Sequence, residues 1–181
     1  SGDLSLRKPA VKSLERLVEL SQLNTQVSDR SEALRQKIND GRLIELSQKY
    51  IKRESEPDQE VRRACISILG ILKPQSAIEV LAVGMEDGGA GPGIRFQAGL
   101  ALSQLGTNAV DPLIVAFNRG DASVKDIAAS ALGNIGGNRP RDVLIKALNS
   151  LEELTTIKLT IVDALAKIGD EASIKALQGQ K

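Results

Sequence analysis

From residue 58 onward the apolar residues recur at i, i+3, i+4 and i+7, the spacing that gathers them on one face of an α-helix. Val61, Ala64, Cys65, Ile68 and Leu72 make one such face, and Ile94, Ala98, Ala101 and Leu105 the next. Val124, Ala128, Ala131 and Ile135 follow, then Ile157, Ile161, Ala164 and Ile168. Each face opens on a β-branched residue and a basic one, Val61-Arg62, Ile94-Arg95, Val124-Lys125 and Ile157-Lys158, and each helix closes at Lys73, Gly106, Gly136 or Gly169. Both the opening and the closing positions step by 33, 30 and 33 residues along the chain. A period of this size identifies a solenoid, in which one unit buries its apolar stripe only by stacking on its neighbours.

A second, shorter apolar face follows each turn: Ile78, Leu81 and Met85; Val110, Leu113 and Phe117; Val143, Leu144 and Leu148; Ile174 and Leu177. Asp58 and Asp121 stand where N-caps belong, Gly106, Gly136 and Gly169 suit a left-handed helix end, and Pro74, Pro112 and Pro140 fall near the starts of second helices. Alanine at 98 and 128, in the column of Cys65 and Ile161, and at 101, 131 and 164, in the column of Ile68, lets neighbouring helices approach closely. The expected fold is all-α, an α-α superhelix of about four helix pairs. Residues 1–57 are expected to form a helical cap or degenerate repeat, with an amphipathic helix over 9–23 and another that breaks at Asn39-Asp40-Gly41. Residues 58–181 are expected to carry repeats at 58–90, 91–120, 121–150 and 151–178 in one continuous domain, with the natural chain continuing beyond its short last helix.

Composition narrows the chemistry. The 181 residues hold 24 Lys and Arg against 23 Asp and Glu, so no strong field draws in nucleic acid or an anionic membrane. Tyr50, Phe96 and Phe117 are all the aromatics, too few for a base-stacking platform. There is no His, which removes Ser-His-Asp triads and His-based metal sites, and the single Cys65 can form no internal disulfide. Since no apolar run is long enough to span a bilayer and no signal peptide opens the chain, a soluble, cytoplasmic protein is expected.

Asp58 to Gly70 (DQEVRRACISILG) and Asp121 to Gly136 (DASVKDIAASALGNIG) resemble the short HEAT-like repeats of the phycobilisome-lyase type, D-x-x-V-R-x-x-A-x-x-A-L-G-x-I-G. Gly91 to Gly106 and Leu154 to Gly169 are looser copies that lack the Asp. The resemblance covers roughly 58–178 and implies the fold. It implies two functions: a non-catalytic scaffold that binds a protein partner along a concave face, or, as an alternative and the one enzymatic reading, a bilin-lyase-like subunit that holds a tetrapyrrole for transfer to an antenna protein. The lack of His and the scarcity of aromatics favour the scaffold. They also set aside two other activities carried by such repeats, deoxyhypusine hydroxylase with its His-Glu metal ligands and solenoid DNA glycosylases.

No catalytic, metal or cofactor residue is expected. Cys65 lies on a core face, the basic column Arg62, Arg95, Lys125 and Lys158 reads as a structural ladder with Asp58 and Asp121 four residues before two of its members, and the glycines at 88–93 ahead of Arg95 read as an inter-repeat loop rather than a phosphate cradle. The candidate partner-binding residues sit in the turns within helix pairs: Arg139 and Arg141 foremost, with Lys73, Gln75 and Asn108 as counterparts.

Overall fold

Three aspartates start helices in the computed structural model, and their side chains show why the chain turns where it does. Asp58 Oδ1 accepts from the amides of Glu60 (2.8 Å) and Val61 (3.4 Å). Asp121 Oδ1 accepts from Val124 N at 2.9 Å, and Asp170 Oδ1 from Ser173 N at 2.8 Å. Each cap satisfies amides that have no partner within the helix, a contribution of about 1 kcal/mol. The structure describes residue 8 and residues 11–16, 41–51, 58–87, 91–150 and 156–179. Leu34, Ile38, the glycines at 88–90 and residues 151–155 lie outside the described residues, as does most of the helix expected over 9–23.

Among the described residues every regular element is helical. Residues 11–16 are helical, and then come α1 (Gly41–Ile51), α2 (Gln59–Leu72) and α3 (Ile78–Glu86), the last entered through a 3-10 turn at Gln75–Ala77. They are followed by α4 (Pro92–Gln104), a 3-10 turn at Gly106–Ala109, α5 (Val110–Arg119), α6 (Ala122–Ile135), α7 (Asn138–Ser150), α8 (Thr156–Ile168) and α9 (Glu171–Gln178). The fold class is the all-α solenoid that the periodicity predicts. Of the expected break at Asn39-Asp40-Gly41, Gly41 belongs to α1, and Asn39 and Asp40 lie outside the described residues.

Helix ends follow the closing column. Gly106, Gly136 and Gly169 have φ of +70°, +71° and +64°. Lys73 takes the same left-handed conformation (φ 53°, ψ 41°) and donates its amide to Leu69 O at 2.8 Å, at a cost of roughly 1–2 kcal/mol that glycine would avoid.

The chain divides into two compact units, residues 1–101 and 102–181, with the division falling inside α4. In the first unit α1 packs on α2 and reaches α3, and the core gathers Ile51, Val61, Cys65, Ile66, Leu69, Leu81 and Met85, each at most 3% exposed. Cys65 is buried and in no disulfide, as its place on the apolar face requires. Lys8 and Lys12 pair with Glu60 Oε2 in the first turn of α2, at 2.6 and 3.0 Å. First Lys8 and then Lys12 hold the Glu60 carboxyl down at about 2.

In the second unit α6 packs against α5 and α8, while α8 also touches α7 and α9. Leu113, Ala128, Ala129, Leu132, Leu144, Leu148, Ile161 and Leu165 are fully buried. The alanine column does the work its small side chains suggest. At Gly133 a Cβ would sit 2.5 Å from Ala164 Cβ and 2.6 Å from its Cα, so α6 and α8 meet there almost backbone to backbone. On the polar side of the same helix pair, Thr160 donates to Asp126 and Lys167 Nζ to Asn134 Oδ1 (3.1 Å). Gly133→Val must push these helices apart, and overpacking of this kind costs about 1–3 kcal/mol. Urea unfolding followed by circular dichroism is expected to show that loss, whereas Asn134→Ala at the exposed neighbouring position is expected to change the midpoint little.

Candidate functional site

The turn residues singled out from the sequence fall in both units. In the first, Lys73 and Gln75 are exposed on either side of Pro74, between α2 and the 3-10 turn. In the second, Asn108 is exposed in its 3-10 turn, and Arg139 near the start of α7 reaches Asp111 in the first turn of α5, Nη2 to Oδ1 2.6 Å. The fold therefore brings Asn108 and Arg139 to one edge of this unit. Both members of the Arg139–Asp111 pair are about two-thirds exposed, so the pair adds little to stability.

Arg141 is built differently. Its side chain is 18% exposed; Nη1 donates to Asp170 Oδ2 at 2.7 Å and to Asn138 Oδ1 at 3.0 Å, while Nε and Nη2 both donate to Asp142 Oδ1. The guanidinium thus joins the first turn of α7 to the N-cap of α9, and these contacts raise its pKa, Asp170 more than Asp142. Ser173 and then Arg141 hold the Asp170 carboxyl at about 2. The Ser173 amide makes the hydrogen bond, since the buried Ser173 hydroxyl has no partner with hydrogen-bond geometry. Arg141 is a positioning residue of the fold, and Arg139 with Asn108 is the exposed part of this edge.

The basic column is not a uniform Asp–Arg ladder. Arg62 is buried, 2% exposed, with Nε and Nη1 lacking a hydrogen-bond partner among the described residues, so it forms no surface pair with Asp58, whose Oδ1 caps α2. Arg95 is also buried and donates from Nε to Asp87 O (3.1 Å) and from Nη2 to Glu86 O (3.3 Å). Those carbonyls end α3, so the guanidinium closes the negative end of the preceding second helix. This also takes from the glycine loop the guanidinium that a phosphate site would need.

At the next step of the column the residue is Lys125, and beside it a cavity of about 360 Å³ opens between α5 and α7. Phe117 and Asn118 line it from the end of α5, Val143, Lys146, Ala147 and Ser150 from α7, and Ile157 from the start of α8. The volume lies at the lower end of the range for ligand pockets. Neither the Lys125 nor the Lys146 ammonium forms a hydrogen bond or ion pair among the described residues. Among the described residues, no three His, Cys, Asp or Glu side chains gather as metal ligands. Sequence reasoning assigned Lys125 to structure and passed over Lys146. The available signal was the change from Arg at 62 and 95 to Lys at 125 and 158.

Two outcomes follow. Replacing the unpartnered buried cation in Arg62→Met is expected to leave stability unchanged or raise it by about 1–4 kcal/mol, measured by urea unfolding. Acid should act through Asp170: its depressed pKa contributes stability that is complete above the unfolded value near 3.9 and is lost as pH falls through about 2. Asp170→Asn is therefore expected to be less stable than wild type at pH 7, with the gap narrowing between pH 4 and pH 1.5 in urea midpoints.

Human deoxyhypusine hydroxylase, solved with glycerol, is similar over 99% of this chain and 84% of its own, with 16% identity and a TM-score of 0.43. A crystal structure of an engineered protein is similar over 92% of this chain and 84% of its own, with 20% identity and a TM-score of 0.42. No curated protein sequence matches. The HEAT repeats family matches residues 48–119 and 110–180, most of the 181-residue chain. With that match over most of its length, the chain belongs to the HEAT-repeat family.

Proposed function

We propose that the chain is a non-catalytic, cytoplasmic protein-binding module, of the phycobilisome-lyase repeat subtype, which receives a partner segment on the second-helix face of residues 102–181. The observation that carries this reading is the open cavity between α5 and α7. Half-buried apolar side chains line it, and Val115, 47% exposed, lies one turn from Asn118 on the same face of α5. Exposed apolar surface beside a preformed recess is what a partner's anchoring side chain needs.

The composition of the recess favours binding over chemistry. Among the described residues its titratable lining groups are two lysines, and no carboxylate, thiol or imidazole lines it with them to exchange a proton. Among the described residues no helix is long and apolar enough to cross a membrane. Arg139 and Asn108 flank the opposite ends of these helices and would extend the contact as a polar rim; Lys73 and Gln75 would do so on the first unit.

Site-specific photocrosslinking tests the reading. With p-benzoylphenylalanine at Val115, extracts of the source organism are expected to give discrete protein adducts, reduced about tenfold by Lys146→Glu, a loss of about 1.4 kcal/mol. The same group at Leu159, exposed on the first helix α8, is the control. Adducts from Leu159 with none from Val115 would place binding on the other face and overturn the proposal.

A further inference from the structure

The step from Arg95 to Lys125 in the basic column creates a specific kind of vacancy. Arg95 places two nitrogens on the two carbonyls that end α3, within 3.3 Å of each. A guanidinium can bridge two acceptors because its donors form a rigid fork, whereas an ammonium is a compact point charge on a flexible stem. At the corresponding place after α5, Lys125 makes no such bridge, and the room is a cavity. Lys146, from α7, stands at the same cavity, so two cations without ion-pair partners among the described residues share one recess.

The rest of the lining is mostly apolar: Phe117 is buried at the end of α5, and Val143, Ala147 and Ile157 are half-buried, with Asn118 and Ser150 as its polar members. The occupant that satisfies both halves carries a negative charge directly beside a compact apolar group. We propose that this recess is a carboxylate-reading site, which takes from a partner protein an Asp, Glu or C-terminal carboxylate adjacent to one bulky apolar side chain. The cavity of about 360 Å³ admits roughly one such residue pair and no extended domain. The lysines supply charge-assisted hydrogen bonds to the carboxylate, and the apolar wall supplies the area removed from water. The assignment rests on the protein-binding reading of the same face for the source of the carboxylate, and on the cavity alone for its chemistry.

The probe is N-acetyl-phenylalanine, titrated into ¹⁵N-labelled protein, with N-acetyl-phenylalaninamide as its uncharged twin and octanoate as a carboxylate on a lipid-like tail. N-acetyl-phenylalanine is expected to shift the amide signals of Asn118, Ala147 and Ser150 in a saturable way. The amide is expected to bind about tenfold more weakly or not at all, and Lys125→Met and Lys146→Met each about three- to tenfold more weakly. Raising salt from 50 to 500 mM is expected to weaken the acid and not the amide. Equal affinity for acid and amide, or shifts confined to residues outside the recess, would overturn the site. Tighter binding of octanoate than of the amino-acid probe would overturn the protein segment as its occupant. The unchanged circular dichroism spectrum expected of both lysine variants separates lost binding from lost folding; if either variant unfolds, the acid-to-amide ratio on wild-type protein decides alone. Because the probe needs no partner, success here with no crosslinks at Val115 would retain the recess and discard the protein-binding function, and the reverse result would do the opposite.

Discussion

Everything in the second unit depends on how closely its first helices approach. Gly133 lies against the backbone of Ala164, and the alanines at 128, 131 and 164 are all at most 3% exposed. Removing side-chain bulk from that contact brings the helices together, so dispersion acts over their length rather than at a few points. Lateral placement of the second helices follows from it: α5 and α7 are each carried by a turn from a helix fixed in that stack, and the gap between them is therefore a fixed dimension of the fold. A recess built this way needs no closing loop to exist.

Much of this was legible in the chain because solenoid rules are local. Asp58 and Asp121 announce their helices through cap chemistry, and the glycines at 106, 136 and 169 mark ends by a backbone conformation other residues resist. Cys65 belongs to an apolar column and is buried accordingly. What was not legible is side-chain commitment across the turns. Arg141 and Arg139 are two residues apart and chemically identical. One is locked by Asp170, 29 residues away, while the other stays exposed on Asp111, and spacing within the repeat does not distinguish them.

The recess was missed for a related reason. An Arg and a Lys in the same column look interchangeable in a repeat alignment, both basic and both long. They differ in the geometry of their donors, and only the carbonyls of Glu86 and Asp87 against Arg95 reveal that at this step of the column the side chain closes a helix end. Once that task is known, the absence of a fork at Lys125 becomes informative. Gly133 shows the same gap in reading: its column holds small residues throughout, Gly70, Ser103 and Ala166, and only its distance to Ala164 shows which helix it meets.

Among the described residues, the hydrogen bonds from side chain to side chain between elements join residues a nearly constant distance apart in sequence: Gln48 to Ser76 by 28 positions, Arg141 to Asp170 by 29, Lys167 to Asn134 by 33 and Thr160 to Asp126 by 34. Each spans about one repeat. A chain wired in this way closes only short loops as it folds, so its transition state need not assemble distant segments, and structure can begin at any repeat and spread to the next. The same wiring sets how damage propagates: a weakened repeat loosens its immediate neighbours first, and unfolding advances along the array as a moving boundary.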